Sequence, residues 1–126
     1  MQGASVAPMP PEAIVMQMAM CGWVCRTMSE VSKLDVPDAL LARGPQTAAE
    51  LVAGGIAVNT GALERALRAL ASVGLFTEGA DGRFGLTPVS EVLTSSHPHS
   101  VKIVAEEVSG TWLRSFGEIG DRKSVV

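Results

Sequence analysis

The stretch from Val58 to Leu93, VNTGALERALRALASVGLFTEGADGRFGLTPVSEVL, leaves little choice of local structure. Asn59 or Thr60 can cap a helix, because either side-chain oxygen accepts from the free N–H groups of a first turn. Leu63, Leu67, Leu70 and Val73 then recur at three- and four-residue spacing and predict one apolar helical stripe. Gly74 ends it, since a glycine takes the left-handed conformation that closes a helix. Leu75 and Phe76 open a strand, Gly79-Ala80-Asp81-Gly82 turns the chain, and Phe84 with Leu86 alternates back. Thr87 and Pro88 start another helix, with proline where its missing N–H costs nothing.

Helix, hairpin and short helix in direct succession give the plan of a winged helix. Before it, Leu34 to Gly55 reads as two short helices joined at Gly44-Pro45, the second opened by a Thr47/Glu50 capping box. Pro11 to Leu34 predicts a long helix, and Met1 to Pro10 a loose tail. The expected fold is therefore mainly α with a small β-hairpin, a winged-helix domain carrying an extra long N-terminal helix. The winged-helix unit is expected over residues 11–96.

The long helix carries apolar residues around much of its circumference. Ile14, Met18, Cys21, Cys25 and Met28 lie on one side, and Met16, Met20, Trp23, Val24 and Val31 on another. Such a helix is not stable on the outside of a small monomer. A central core helix is one solution, but the remaining helices already have apolar faces of their own, so packing across a dimer is favoured. Composition agrees: 47% of the 126 residues are hydrophobic and 18% charged, with a mean hydropathy of +0.28. The nearly uncharged run Ala13 to Cys25 is too short to cross a bilayer, and no basic residue precedes Arg26, as a secretory signal requires. A cytoplasmic protein with surplus apolar surface, and hence a partner subunit, is the expectation.

Few residues suggest chemistry. Cys21 and Cys25 share a helix face but lack further ligands for a metal, so they read as small buried thiols of a reducing compartment. His97 and His99 fall in the polar run Thr94 to Ser100 and read as a loop or helix start. No Ser/His/Asp or Cys/His set is credible, and the glycines of Gly79 to Gly85 make a hairpin turn with no nucleotide cradle. Catalytic, cofactor-binding and metal residues are thus expected to be none. From Ser100 a helix is expected to reach Phe116, with Val101, Val104, Val108, Trp112 and Phe116 along one side.

The order L-D-x-x-D-x-L from Leu34, then GPQTAAELVAGG, LERALRALASVGLF and GRFGLTP, resembles the N-terminal dimerisation domain of the S-adenosylmethionine-dependent small-molecule O-methyltransferases. That family includes caffeic-acid, acetylserotonin and bacterial polyketide O-methyltransferases. The resemblance covers Leu34 to Leu93 most firmly. It implies a homodimer built on the long helix, with Ile14, Met18, Cys21, Cys25 and Met28 at the interface. It also implies that Met20, Trp23, Trp112 and Phe116 wall the pocket of a small, aromatic acceptor; for the two latter residues, sealing a subunit interface is an equal alternative. The cofactor S-adenosylmethionine and a histidine base would belong to a catalytic domain of the parent enzyme. Residues 97–120 would lead toward that domain, and the chain is expected to stop before it.

Residues 121–126, DRKSVV, break the helical pattern. With one choice of codons they read out a common short-read sequencing adapter, so they are expected to be an appended artefact; a natural polar tail is the alternative. A second functional class, a winged-helix DNA-binding regulator, needs cations on the recognition helix and wing. Thr47 to Ser95 sets Arg65, Arg68 and Arg83 against five acids, and the whole chain carries −3. Arg65 and Arg68 therefore read as ion-pair partners, and neither nucleic acid nor membrane is expected as a partner. A free-standing interaction module that pairs with longer relatives is a third possibility.

Overall fold

Pro11 opens a 23-residue helix, α1 (Pro11–Lys33), with Glu12 in its first turn and Lys33 in its last, each opposing the helix dipole. The structure, a computed structural model, describes residues 8–112, 114 and 115. Asp35 stands in the left-handed region (φ 61°) and reverses the chain into α2 (Val36–Arg43). After Gly44-Pro45 comes α3 (Ala48–Ala53), whose first turn is closed by the Thr47 hydroxyl accepting from the Glu50 amide. α4 (Thr60–Ser72) is capped by Asn59, whose Oδ1 accepts from the Ala62 amide at 3.0 Å. A two-stranded antiparallel hairpin follows, β1 (Phe76–Glu78) and β2 (Phe84–Leu86), with Phe76 opposite Leu86 and Glu78 opposite Phe84. α5 (Pro88–Glu91) carries a full capping box between Thr87 and Ser90. The helix–hairpin–helix order read from the sequence is present, and the fold is mainly α.

The core lies between α4, the C-terminal part of α1, α2, α3 and the hairpin. Leu63, Leu67 and Leu70 of α4 meet Leu51, Val31, Val36, Leu40, Phe76 and Phe84, all buried. Gly74 (φ 87°) ends α4, and Gly82 (φ 78°) tightens the hairpin turn, positions where a Cβ would be strained. Gln46 extends the hairpin by one residue, exchanging backbone hydrogen bonds with Phe84, while its buried amide donates to the Ala39 carbonyl. One residue of the expected stripe departs from it: Val73 is 50% exposed. It occupies the C-cap, where the backbone has left helical geometry (φ −104°, ψ 10°), so helical periodicity no longer directs it inward.

The helix expected from Ser100 to Phe116 is interrupted rather than continuous. α6 covers Lys102–Glu107 and passes into a kinked turn, Val108–Trp112, broken at Gly110 (φ −91°, ψ −106°), and residues 114 and 115 are again helical. Val101 and Val104 are exposed, and Ala105 is the residue of α6 that is buried. The face turned to α1 is the small and polar one because α1 offers Ser29 and Ser32 there, both fully buried. Phe116 and the segment 121–126 lie outside the described residues, as does the side chain of Trp112.

α6 is held chiefly by polar contacts. Lys102 Nζ lies 2.5 Å from Asp35 Oδ1, 3.1 Å from the Ser32 carbonyl, 3.4 Å from Asp38 Oδ2 and 3.5 Å from Glu106 Oε1. Asp38 also accepts from the Ser95 amide (2.8 Å) and hydroxyl (2.6 Å). Partial burial opposes the charged form of both groups. For Asp38 the Ser95 donors and Lys102 outweigh it, leaving the carboxyl below its ordinary value. For Lys102 the carboxylates of Asp35 and Asp38 do so, leaving the ammonium above its ordinary value.

Candidate functional site: the exposed apolar face of the first helix

At 1.5 Å per residue α1 is about 35 Å long, longer than the core it packs on. Its C-terminal part is covered: Ser29, Val31 and Ser32 are buried, while Trp23, Val24 and Met28 are half-buried against the core. Its N-terminal part is bare. Ile14, Val15, Met16, Met18 and Met20 are all exposed, Met18 by 68%. Contiguous apolar surface of this kind marks an interaction site.

Between the two parts lies an apolar groove of about 630 Å³. Met20 and Trp23, expected as wall residues, line it together with Cys21, Cys25 and Met28, expected at a subunit interface. Ile14 and Met18 do not line it; they lie further along the same helix. Met9, Gln17, Val24 and Val73 complete the lining. None of these four was singled out from the sequence as a site residue, although Val24 and Val73 were placed on apolar stripes. Val73 had been assigned inward by periodicity, and only its place one residue before Gly74 hinted at its departure from the helix.

The cysteines are less buried than the sequence suggested. Cys21 is exposed, its thiol donating to the Gln17 carbonyl at 3.3 Å, and Cys25 is half-buried; both are free thiols. The reason is position: both stand where the bare part of α1 meets the covered part that begins at Trp23. Gln17 brings the groove its only side-chain amide, so the surface offers apolar contact and soft thiol and thioether sulfur, with little to hold a charge. His97 and His99 occupy the loop after α5, where the His99 amide donates to His97 Nδ1 at 3.0 Å. Among the described residues no three His, Cys, Asp or Glu side chains cluster to hold a metal.

Arg68 and Arg83 are engaged within the domain, whereas Arg65 of α4, expected as an ion-pair partner, pairs with no carboxylate among the described residues. Arg68 bonds Glu64 (2.8 Å) and Glu78 (3.0 Å), and Arg83 pairs with Glu50 (2.8 Å) and Asp81 (3.2 Å). Their charge is answered locally, so helix α4 and the hairpin present no free cationic stripe for phosphates. No helix among the described residues is long and apolar enough to cross a membrane.

Comparison with known proteins settles the family. The model of the O-methyltransferase dimerisation domain matches residues 16–96. The chain belongs to that family. It is 38% identical over 97 residues to the phenazine O-methyltransferase PhzM of Lysobacter antibioticus, covering 74% of this chain and 27% of that protein. The crystal structure of LaPhzM superposes with a TM-score of 0.79 at 32% identity, over 88% of this chain and 33% of that one. The N,N-8-amino-8-demethyl-D-riboflavin dimethyltransferase RosA of Streptomyces davawensis gives the same TM-score, 0.79, at 29% identity over 88% of this chain and 33% of its own. The chain thus spans about a third or less of the length of these relatives.

The glycines of the hairpin do not fit the nucleoside of S-adenosylmethionine. A nucleoside-binding strand is followed by a glycine-rich turn into a helix, with close backbone approach to the ligand. Here the glycines of the hairpin join two antiparallel strands, and a Cβ at Gly79 or Gly85 would meet Asp81 or Thr77, neighbours within the hairpin itself.

Proposed function

We propose that this chain is the dimerisation and substrate-lid domain of an S-adenosylmethionine-dependent O-methyltransferase that methylates a hydroxyl of a small aromatic molecule. The observation that carries this reading is the bare N-terminal part of α1 beside its apolar groove, in a chain of the O-methyltransferase dimerisation family. Two copies pair through Ile14, Met18, Cys21, Cys25 and Met28, and the pairing removes from water the apolar surface that one copy leaves exposed. Met20 and Trp23 then close one wall of an acceptor pocket, to which the sequence adds Trp112 and Phe116. An indole and a thioether suit a flat, uncharged ring, which agrees with the absence of a charged group in the groove lining.

The cofactor and the base come from a catalytic domain of the parent enzyme, toward which residues 97–120 lead. The protein acts in the cytoplasm, where free thiols such as Cys21 and Cys25 persist. Light scattering at micromolar concentration tests the assembly: the expected mass is twice the 13.1 kDa of one chain. A folded species of single-chain mass at that concentration would overturn the proposed pairing.

A further inference from the structure

The segment from Lys102 to Trp112 is attached to the domain in an unusual way. Within α6, Ala105 is the buried apolar residue, while Ile103 and Val104, like Val101 just before the helix, are exposed, Ile103 by 77%. None of the half-buried hydrophobic residues packed against the core comes from α6. What joins this segment to α1 is polar: the Ser29 hydroxyl donates to the Glu106 carbonyl (2.9 Å), and the Ser109 hydroxyl donates to Ser29 Oγ (2.6 Å).

At the other end of α6, Lys102 is the centre of the attachment. Its side chain is 14% exposed and reaches the Ser32 carbonyl at the end of α1, Asp35 in the turn that follows and Asp38 on α2. The C-terminal carbonyls of α1 carry the negative end of the helix dipole and add to the attraction. Beneath this point the contact is imperfect. Ser32 Oγ is buried without a hydrogen-bond partner among the described residues. Further along, an open polar pocket of about 430 Å³ lies beside Ser109 and Gly110, lined also by Arg26, Glu30, Lys33 and Arg114. Beside two hydrogen bonds and the burial of Ala105, the ion pairs of Lys102 hold this interface closed, and the unsatisfied Ser32 hydroxyl weakens it.

We propose that α6 and the kinked turn form a detachable arm, latched to α1 and α2 by Lys102, which opens as a unit while the rest of the domain stays folded. The arm carries the backbone of Trp112, so its position relative to α1 sets the spacing between the two elements. The latch does not rest on the dimer or the methyltransferase reading, since every contact in it lies within one chain.

Hydrogen exchange on the full chain tests it, with Lys102→Met keeping the stem and removing the charge. The Ala105 and Val101 amides, which donate to the Val101 and Val92 carbonyls, should lose protection about tenfold or more. The amides of α4 should keep theirs to within about twofold. Lys102→Arg should restore the arm, since it returns the charge. Equal loss in α4 and α6, or no loss at α6, would overturn the latch. So would a Lys102→Met chain that fails to fold, because the arm would then be part of the cooperative core.

Discussion

Placing a carboxylate at Met18 separates the role of α1 in assembly from its role in the fold. Met18 is 68% exposed in one chain, so Met18→Asp removes almost no contact that the single chain makes. Full burial of a methionine side chain contributes about 1.5–3 kcal/mol. With about two-thirds of it still outside, roughly 1–2 kcal/mol remains to be gained by covering it. A two-fold interface counts the residue twice, giving about 2–4 kcal/mol per dimer. That corresponds to a dissociation constant weaker by about 30- to 1,000-fold, before any repulsion between the two introduced carboxylates. Sedimentation equilibrium over a concentration series would measure the constant, and far-UV circular dichroism would confirm that the melting of the separated chain stays cooperative. An unchanged dissociation constant would refute the placement of the interface on this part of α1.

Four further outcomes are expected. Leu67→Ala, at a fully buried site in α4, should cost about 2.7–5 kcal/mol in urea unfolding. Asp38 titrates below its ordinary value in the folded chain, so it adds stability above pH 3.8 that is lost as the pH falls through its folded value. Asp38→Asn should therefore flatten the acid limb of a melting-temperature profile, and an unaltered limb would count against the Ser95 and Lys102 contacts. Fluorescence anisotropy with duplex DNA at physiological salt should show no sequence-specific complex, since Arg68 and Arg83 are already paired with carboxylates. Calorimetry of the 126-residue chain with S-adenosylmethionine should register no stoichiometric binding; a measurable one-to-one isotherm would reject the fit argument made from the hairpin glycines.

Elements governed by local rules could be read from the sequence. The caps at Asn59, Thr47 and Thr87 and the stop at Gly74 depend on residues no more than four apart, and all of them are found. The failures sit where tertiary contact overrides periodicity. Val101, Val104 and Val108 are spaced for one apolar face, yet α6 turns Ala105 toward α1 and leaves Val101 and Val104 in the open. The partner surface decided that orientation: Ser29 and Ser32 on α1 permit close approach only to a small residue and supply hydrogen bonds for a polar one. Two serines three apart, on the same side of α1 near its C-terminal end, were the available signal, and they mark where a second helix comes near.

The candidate site was half legible for a related reason. An apolar pattern states how much of a helix must be covered, without stating by what. Both stripes of α1 run its full length, but the chain itself covers only the part from Trp23 onward, where Val31 reaches the core. The remainder, from Ile14 to Met20, keeps the same composition and has no cover among the described residues. Cys21 and Cys25 were read as buried from composition because thiols usually are; they fall where covered and bare helix meet, and so stand at the edge of the groove. The latch around Lys102 was not legible at all, because Asp35 and Asp38 are separated from it by more than sixty residues. Only the fold brings that lysine to the end of α1, so that the helix whose N-terminal part is bare is fixed at its other end by charge.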